Sequence, residues 1–288
     1  MDRTALLLIL ASTVGHGAWN ALARGAGEGA PVLFRRMLAV LAAGWGLPVV
    51  LADLFADPVL PWSLWPWMLA SGLGSAVYIL GLAEAYRRQD LSFAYPVARA
   101  LPILLLGLLD LLLGRPPGLA GGLGLLAVAL GCLLAPGQGW RLPAGGPAEF
   151  RGVFLAALGA VIYTRCDKVL VDALPPGGGP AARYAGIYFL ACWLFLEPAW
   201  RLRFRGLRPA PPPAWGRVLA AASLNLLSYA LVLAAYQRVT AVSLAFAFRQ
   251  ASIPLVLLWS ALVLREPVRG PRLVAQGLIL LGLILIAL

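Results

Sequence analysis

Ten stretches of the chain are almost wholly apolar: 3–23, 33–52, 64–86, 92–113, 118–135, 151–172, 181–200, 217–236, 242–264 and 270–288. About 20 mainly apolar residues carry a helix across the hydrocarbon core of a bilayer, so each stretch predicts a transmembrane helix. Glycine, proline and charge mark the breaks, as at Gly25–Glu28, Gly114–Pro117 and Leu174–Gly177. Only 136–150 and 201–216 form loops of any length, and both are rich in Pro, Gly and Arg. Pro48, Pro96, Pro102 and Pro254 fall inside spans and predict kinks, because proline frees a backbone carbonyl. Arg3, the run Ala5–Ala11 and the Ala21-Leu22-Ala23 triplet imitate a signal peptide. The apolar run continues to Ala23, however, which favours an uncleaved first helix.

The spans divide into two sets. A shift of 150 residues, without gaps, lays Trp65 on Trp215, Tyr86 on Tyr236, Arg88 on Arg238, Arg99 on Arg249, Arg115 on Arg265 and Pro117 on Pro267. Leucine matches between apolar helices mean little, but these residue types are scarce here. The expected organisation is one transmembrane domain over 1–288, with repeat one at 1–136, a linker at 137–150 and repeat two at 151–288. Each repeat holds five spans. Five is odd, so the second copy enters the membrane from the opposite side and the halves are inverted repeats. The fold class is therefore all-α: ten transmembrane helices as two inverted five-helix repeats. Carriers built this way place their substrate near the midplane between the halves.

Composition agrees. Of 288 residues, 61% are hydrophobic and 12% are charged, against roughly 25% charged in soluble domains. The net charge of +11 does not signal nucleic acid, because the basic residues flank apolar spans singly or in short clusters. Cys132, Cys166 and Cys192 each lie within an apolar span, at no metal or redox spacing, and read as packing residues. There is no Ser/His/Asp set, no metal-spaced histidine pair and no phosphate loop. Gly121-Gly122-Leu123-Gly124 lies inside an apolar helix, so no enzyme activity and no cofactor are expected.

Polar residues inside the spans are the candidate chemistry. A charge at a helix centre costs roughly 2.5–3.5 kcal/mol on insertion scales, so it usually meets a partner or a wet cavity. Arg99 and Arg249 are repeat mates, each seven residues past the start of its span. They either line a cavity and attract a carboxylate or phosphate, or sit in salt bridges that hold helices together. Asp167 is the deepest carboxylate. It could pair with Arg99, Arg165 or Arg249, bind an amine, or take up a proton. Its neighbour Lys168 can snorkel to an interface. His16, the only histidine, shares a helix face with Trp19 and Asn20. Tyr78, Tyr95, Asn225, Ser228 and Tyr229 add polar or aromatic groups that suit either a cavity or ordinary packing. Glu84 precedes Arg87 and Arg88 by three and four residues, and Glu197 precedes Arg201 by four. Both spacings suit local helix pairs. The small-residue runs Gly118–Gly124 and Gly277–Gly282 predict close packing of the fifth and tenth spans.

Several motifs together resemble the drug/metabolite transporter superfamily, and within it the EamA-type family of five-plus-five helix carriers. They are His16-Gly-Ala-Trp19-Asn20, Tyr86 through Arg99 (including Ser92, Tyr95 and Pro96), Tyr163-Thr-Arg-Cys-Asp167-Lys168, Phe248-Arg249-Gln250 and Leu264-Arg265-Glu266-Pro267. The resemblance covers nearly the whole chain and adds Tyr163 and Gln250 to the substrate-binding candidates. It implies a secondary transporter in the cytoplasmic (inner) membrane, working by alternating access, but no particular substrate; Arg99, Arg249 and Asp167 add the expectation of a small polar metabolite, anionic or zwitterionic. Transport would run by exchange, by a proton couple or down a gradient. A flippase for a lipid-linked substrate is the alternative, and a non-transporting scaffold or membrane enzyme the second. The expected partners are a small-molecule substrate and membrane lipids, with no nucleic acid, and a homodimer is left open.

Orientation divides the two lines of reasoning. Fifteen basic residues lie at odd-numbered loops, and four (Arg3, Arg115, Arg183 and Arg238) lie on the other side. The positive-inside rule then puts both termini outside, whereas the resemblance implies termini in the cytoplasm. The charge argument is the stronger, because the bias is large and the loops are short.

Overall fold

The computed structural model describes residues 1–24, 30–56, 58, 60–88, 91–135, 147–204, 211–255 and 270–288. Over these residues the secondary structure is helical. Helix α1 is Arg3–Arg24. α2 (Ala30–Leu41) runs through a π turn at Ala42–Gly46 into α3 (Leu47–Phe55). A short 3-10 turn, Trp62–Leu64, leads into α4 (Trp65–Arg88). Then come α5 (Leu91–Leu112), α6 (Gly118–Leu134), α7 (Pro147–Ala173), α8 (Gly178–Arg203) and α9 (Trp215–Tyr236). α10 is Val242–Phe248, followed by a 3-10 turn at Arg249–Ala251. The span expected at 242–264 is described only to residue 255, and its remainder lies outside the described residues. α11 is Gly270–Ala287.

Five helical stretches are long and apolar enough to cross a membrane: Arg3–Ala23, Val32–Phe55, Trp62–Ala85, Trp215–Tyr236 and Gly270–Ala287. The distribution of side chains is that of a protein in lipid. Leu7, Val14, Leu111, Leu119, Leu227 and Ile284 are exposed on the outside, while Asp110, Asp167 and Lys168 are buried. In water that arrangement would leave a large apolar surface unpaired.

Glycine sets how closely the helices approach. α4 and α7 run antiparallel with Gly74 and Gly81 facing Gly159 and Gly152. A β-carbon at Gly159 would sit 2.4 Å from the Tyr78 nitrogen, and one at Gly81 would sit 2.5 Å from the Ala156 nitrogen. α6 meets α11 in the same manner at Gly124 and Gly282 of the predicted runs, whereas a β-carbon on Gly118, Gly122 or Gly277 would meet nothing within 4 Å. A β-carbon on Gly124 would lie 2.8 Å from the Gly282 carbonyl oxygen, and one on Gly282 would lie 2.6 Å from that of Gly124. α1 packs along α9, where Ser12 and Ser228 exchange hydroxyl-to-carbonyl bonds at 2.8 Å in both directions. The π turn stands directly before Pro48, where a kink was expected, because the missing proline N–H loosens the ladder behind it. The turn presses Gly46 onto the Gly186 carbonyl of α8, and the Trp45 indole donates to the Ala182 carbonyl at 3.0 Å.

Ion pairs tie helices at both ends. Glu197 accepts from Arg35 of α2 and from Arg201 at 2.6 Å, so the expected local pair is extended across helices. Glu84 takes Arg151 of α7 at 3.1 Å and Arg203 of α8 at 3.2 Å. The packing of α4 between α7 and α8 brings those arginines over the helix end. The side chains of Arg87 and Arg88 lie outside the described residues. At the other end Arg238 pairs with Asp2 at 3.2 Å, and Arg183 reaches Asp53 at 4.0 Å.

Candidate substrate site

Asp167 is fully buried near the C-terminal third of α7. Three hydroxyls from three other helices donate to it: Ser71 of α4 at 2.5 Å and Tyr184 of α8 at 2.6 Å, both to Oδ1, and Tyr229 of α9 to Oδ2. Charge-assisted bonds of this kind offset the desolvation of a carboxylate without a counter-ion. Among the described residues, no basic side chain lies within ion-pair distance of Asp167. Arg249 is its nearest cation by electrostatic influence. Of the roles open in the sequence, direct pairing with Arg99 or Arg165 is therefore not the one realised here.

An aromatic floor continues from this carboxylate. Tyr188 stacks on Tyr229 with ring centres 4.3 Å apart and planes 25° from parallel. Tyr163 meets Tyr78 edge-on at 5.8 Å and Tyr188 at 6.4 Å. Tyr188 donates its hydroxyl to Ser75 at 2.6 Å. Tyr163, Tyr229 and Tyr236 all lie within electrostatic reach of Arg249.

Arg99 and Arg249 are linked through Gln250. Arg99 of α5 donates to the Gln250 side-chain oxygen at 2.9 Å. Gln250 in turn donates to the Phe246 carbonyl at 3.4 Å. Both Arg99 and Arg249 act electrostatically on His16. The 3-10 turn at Arg249–Ala251 places Arg249 and Gln250 at the point where α10 changes pitch. Irregular backbone at membrane depth is tolerated where protein or a cavity surrounds it.

The other candidates distribute as follows. His16 accepts from the Trp19 indole at 3.3 Å, their rings are perpendicular at 5.1 Å, and Trp19 also leans on Phe34. Asn20 donates to the His16 carbonyl at 2.7 Å, a bond within its own helix. Asn225 faces Met37, its amide 3.9 Å from the sulfur. These two amides thus make their described contacts away from Asp167. Tyr95 lies on α5, and its side chain is outside the described residues. Lys168 pairs with Asp172 one turn on. The three cysteines are free and buried. Sequence reasoning missed Ser71, Ser75, Tyr184, Tyr188 and Tyr236. A signal existed: Ser71/Ser75 and Tyr184/Tyr188 are each four apart, so each pair shares one helix face.

Residues 151–288 match the EamA-like transporter family, part of the drug/metabolite transporter superfamily. That match over the second half and the apolar helices suggest a multi-pass integral membrane protein. No curated protein matches the chain. A solved structure, described only as the crystal structure of a protein, has the same fold with a TM-score of 0.71 at 19% identity. The match covers 99% of this chain and 96% of that one.

Proposed function

We propose, from a second half that matches EamA-like transporters, that this chain is a secondary carrier of a small anionic or zwitterionic metabolite. It would work by alternating access in the cytoplasmic membrane. The observation that carries this reading is the hydrogen bond from Arg99 to Gln250, the residue that follows Arg249. Cations from both halves converge on one place deep in the bundle, where a charge is costly unless it serves a ligand or a partner. Asp167, within reach of Arg249, supplies the opposite pole that a zwitterion needs.

The packing supports a two-fold relation between the halves. Under the 150-residue shift, α4 against α7 corresponds to α9 against α1, and α4 against α8 corresponds to α9 against α2. α5 against α7 corresponds to α10 against α1. All six contacts are present. The correspondence is incomplete in one respect: α7 and α8 close on α9 more tightly than α1, α2 and α3 close on α4. Alternating access between inverted repeats requires this kind of difference, because the two halves hold different conformations at any moment.

The test is ligand-induced stabilisation followed by transport. Purified protein is screened by thermal shift against carboxylates, phosphates and amino acids, since a ligand of the folded state raises Tm in proportion to RT ln(1 + [L]/Kd). Hits are then measured as uptake into proteoliposomes. Arg99→Gln and Arg249→Gln each remove a charged hydrogen-bonding group worth about 1.5–3 kcal/mol. Each variant should therefore weaken apparent affinity roughly tenfold or more. Unchanged affinity in both would refute the assignment.

A further inference from the structure

A second polar site lies away from the central one, at the end of the bundle where α1 begins. A cleft of about 430 Å³ is lined by Arg115, Lys168, Asp172, Gln237, Arg238 and Thr240. That volume falls in the range of small-molecule sites. Its back wall is built by Gln237, which donates to the Pro175 and Val171 carbonyls at 3.1 and 3.3 Å and accepts from the Gly177 N–H at 3.1 Å. The end of α9 is thereby fastened to the turn between α7 and α8.

The charges in this cleft do not balance. Three cations face one carboxylate. Asp172 is divided between Lys168 on Oδ1 and Arg115, 3.7 Å from Oδ2. Arg238 is held from outside the lining by Asp2. One turn deeper on the same face of α7, Arg165 keeps its Nη1 buried without a hydrogen-bond partner among the described residues. Arg165 lies within electrostatic reach of Arg115 and of the carboxylates Asp110 and Asp172. Residues 165, 168 and 172 follow the i, i+3, i+7 spacing of one helix face. An open cleft with an excess of cations raises the local concentration of anions.

We infer that this cleft is a peripheral binding site for an oxyanion, a phosphate- or carboxylate-bearing solute, held by Lys168, Arg115 and Arg238. It does not depend on the central site being a transport site. The shared chemistry could come from a soluble anion or from an anionic lipid headgroup, because the cleft sits at a membrane end.

The experiment uses Thr240→Cys in the full chain. Thr240 is exposed in the cleft, and the native cysteines are buried. Labelling rates are compared for an anionic and a cationic methanethiosulfonate reagent, in nanodiscs of neutral lipid. The anionic reagent should react faster by roughly tenfold. Lys168→Gln and Arg115→Gln should each shrink that ratio, and Lys168→Arg should restore it, which separates loss of charge from loss of fold. Inorganic phosphate should slow labelling saturably if the occupant is soluble. Slowing only in phosphatidylglycerol nanodiscs assigns the same site to a lipid headgroup. Equal rates for the two reagents, or slowing by neither phosphate nor anionic lipid, would overturn the site.

Discussion

A buried carboxylate reveals its environment through its hydrogen bonds. Asp167 accepts three hydroxyls and lies within ion-pair distance of no cation among the described residues. The bonds to a charged acceptor are the expensive ones to lose, about 1.5–3 kcal/mol each. A neutral bond between helices in a membrane averages about 0.6 kcal/mol. Tyr184 donates to Asp167, whereas Tyr188, one turn away on the same helix, donates to Ser75. Tyr184→Phe should therefore lower Tm in detergent distinctly more than Tyr188→Phe, although the two changes remove the same atom. Equal losses would mean that Asp167 is neutral in the resting protein. Asp167 itself was legible in the sequence, as the one acid deep in a span. Its partners were not, because hydroxyls at sequence separations of 96, 17 and 62 meet only after the helices have packed. At the surface, the Thr4 backbone N–H and then Arg238 hold the Asp2 carboxyl below its ordinary value of 3.8. A depressed acid contributes stability above its unfolded pKa and loses it as pH falls through the lower folded value. Asp2→Asn should flatten the dependence of Tm on pH below about 3.8 and lower Tm slightly at neutral pH, where the charged acceptor of the Thr4 N–H and of Arg238 is lost.

Helices in lipid gain nothing from burying leucine against leucine, so their association depends on close fit. Gly159 and Gly277 make opposite predictions from the same substitution. A β-carbon at Gly159 would stand 2.4 Å from backbone nitrogen and 2.5 Å from the Gly74 carbonyl oxygen, and neither atom can swing away. Gly159→Ala should separate α4 from α7 at a cost of about 1–3 kcal/mol, seen as a lower Tm. A β-carbon at Gly277 meets nothing within 4 Å, so Gly277→Ala should raise stability by roughly 0.5–1 kcal/mol through helix propensity. The elements were legible because a bilayer imposes a long apolar run on each crossing helix. The glycine face of α6 on α11 was legible as well, since small residues recur along both segments. The π turn before Pro48 was readable only as a kink, because proline fixes where a ladder breaks and not which pitch relieves it. The pairing of Glu84 with Arg151 and Arg203 was hidden for the same reason as the Asp167 cage: local spacing offers Arg87 and Arg88, and only packing supplies the alternatives.

The whole molecule is polarised along its axis, and that polarity predicts its orientation. From the sequence, the loops at the end containing Glu84 and Glu197 hold fifteen basic and six acidic residues, while the end containing both termini holds four and five. The ion pairs group these charges as the span count does, with Arg35, Arg151, Arg201 and Arg203 at one end and Arg115, Arg183 and Arg238 at the other. Orientation follows the count of Lys and Arg in short loops and not the net charge, so the six acidic residues at the basic end do not weaken the bias. Both termini are then expected outside the cytoplasm. Alkaline phosphatase fused after Leu288 should be active, and a fluorescent protein at the same place should be dark. The oxyanion cleft gives an independent reading of the same fact, because Arg238 pairs with Asp2 at the head of α1. A membrane-impermeant reagent added to intact cells should label Thr240→Cys. Agreement between reporter and reagent fixes the cleft on the outer face, where it would meet solutes before the central arginines do. A fluorescent C-terminus together with a protected Thr240→Cys would invert the molecule and put the same cleft to work on cytoplasmic anions.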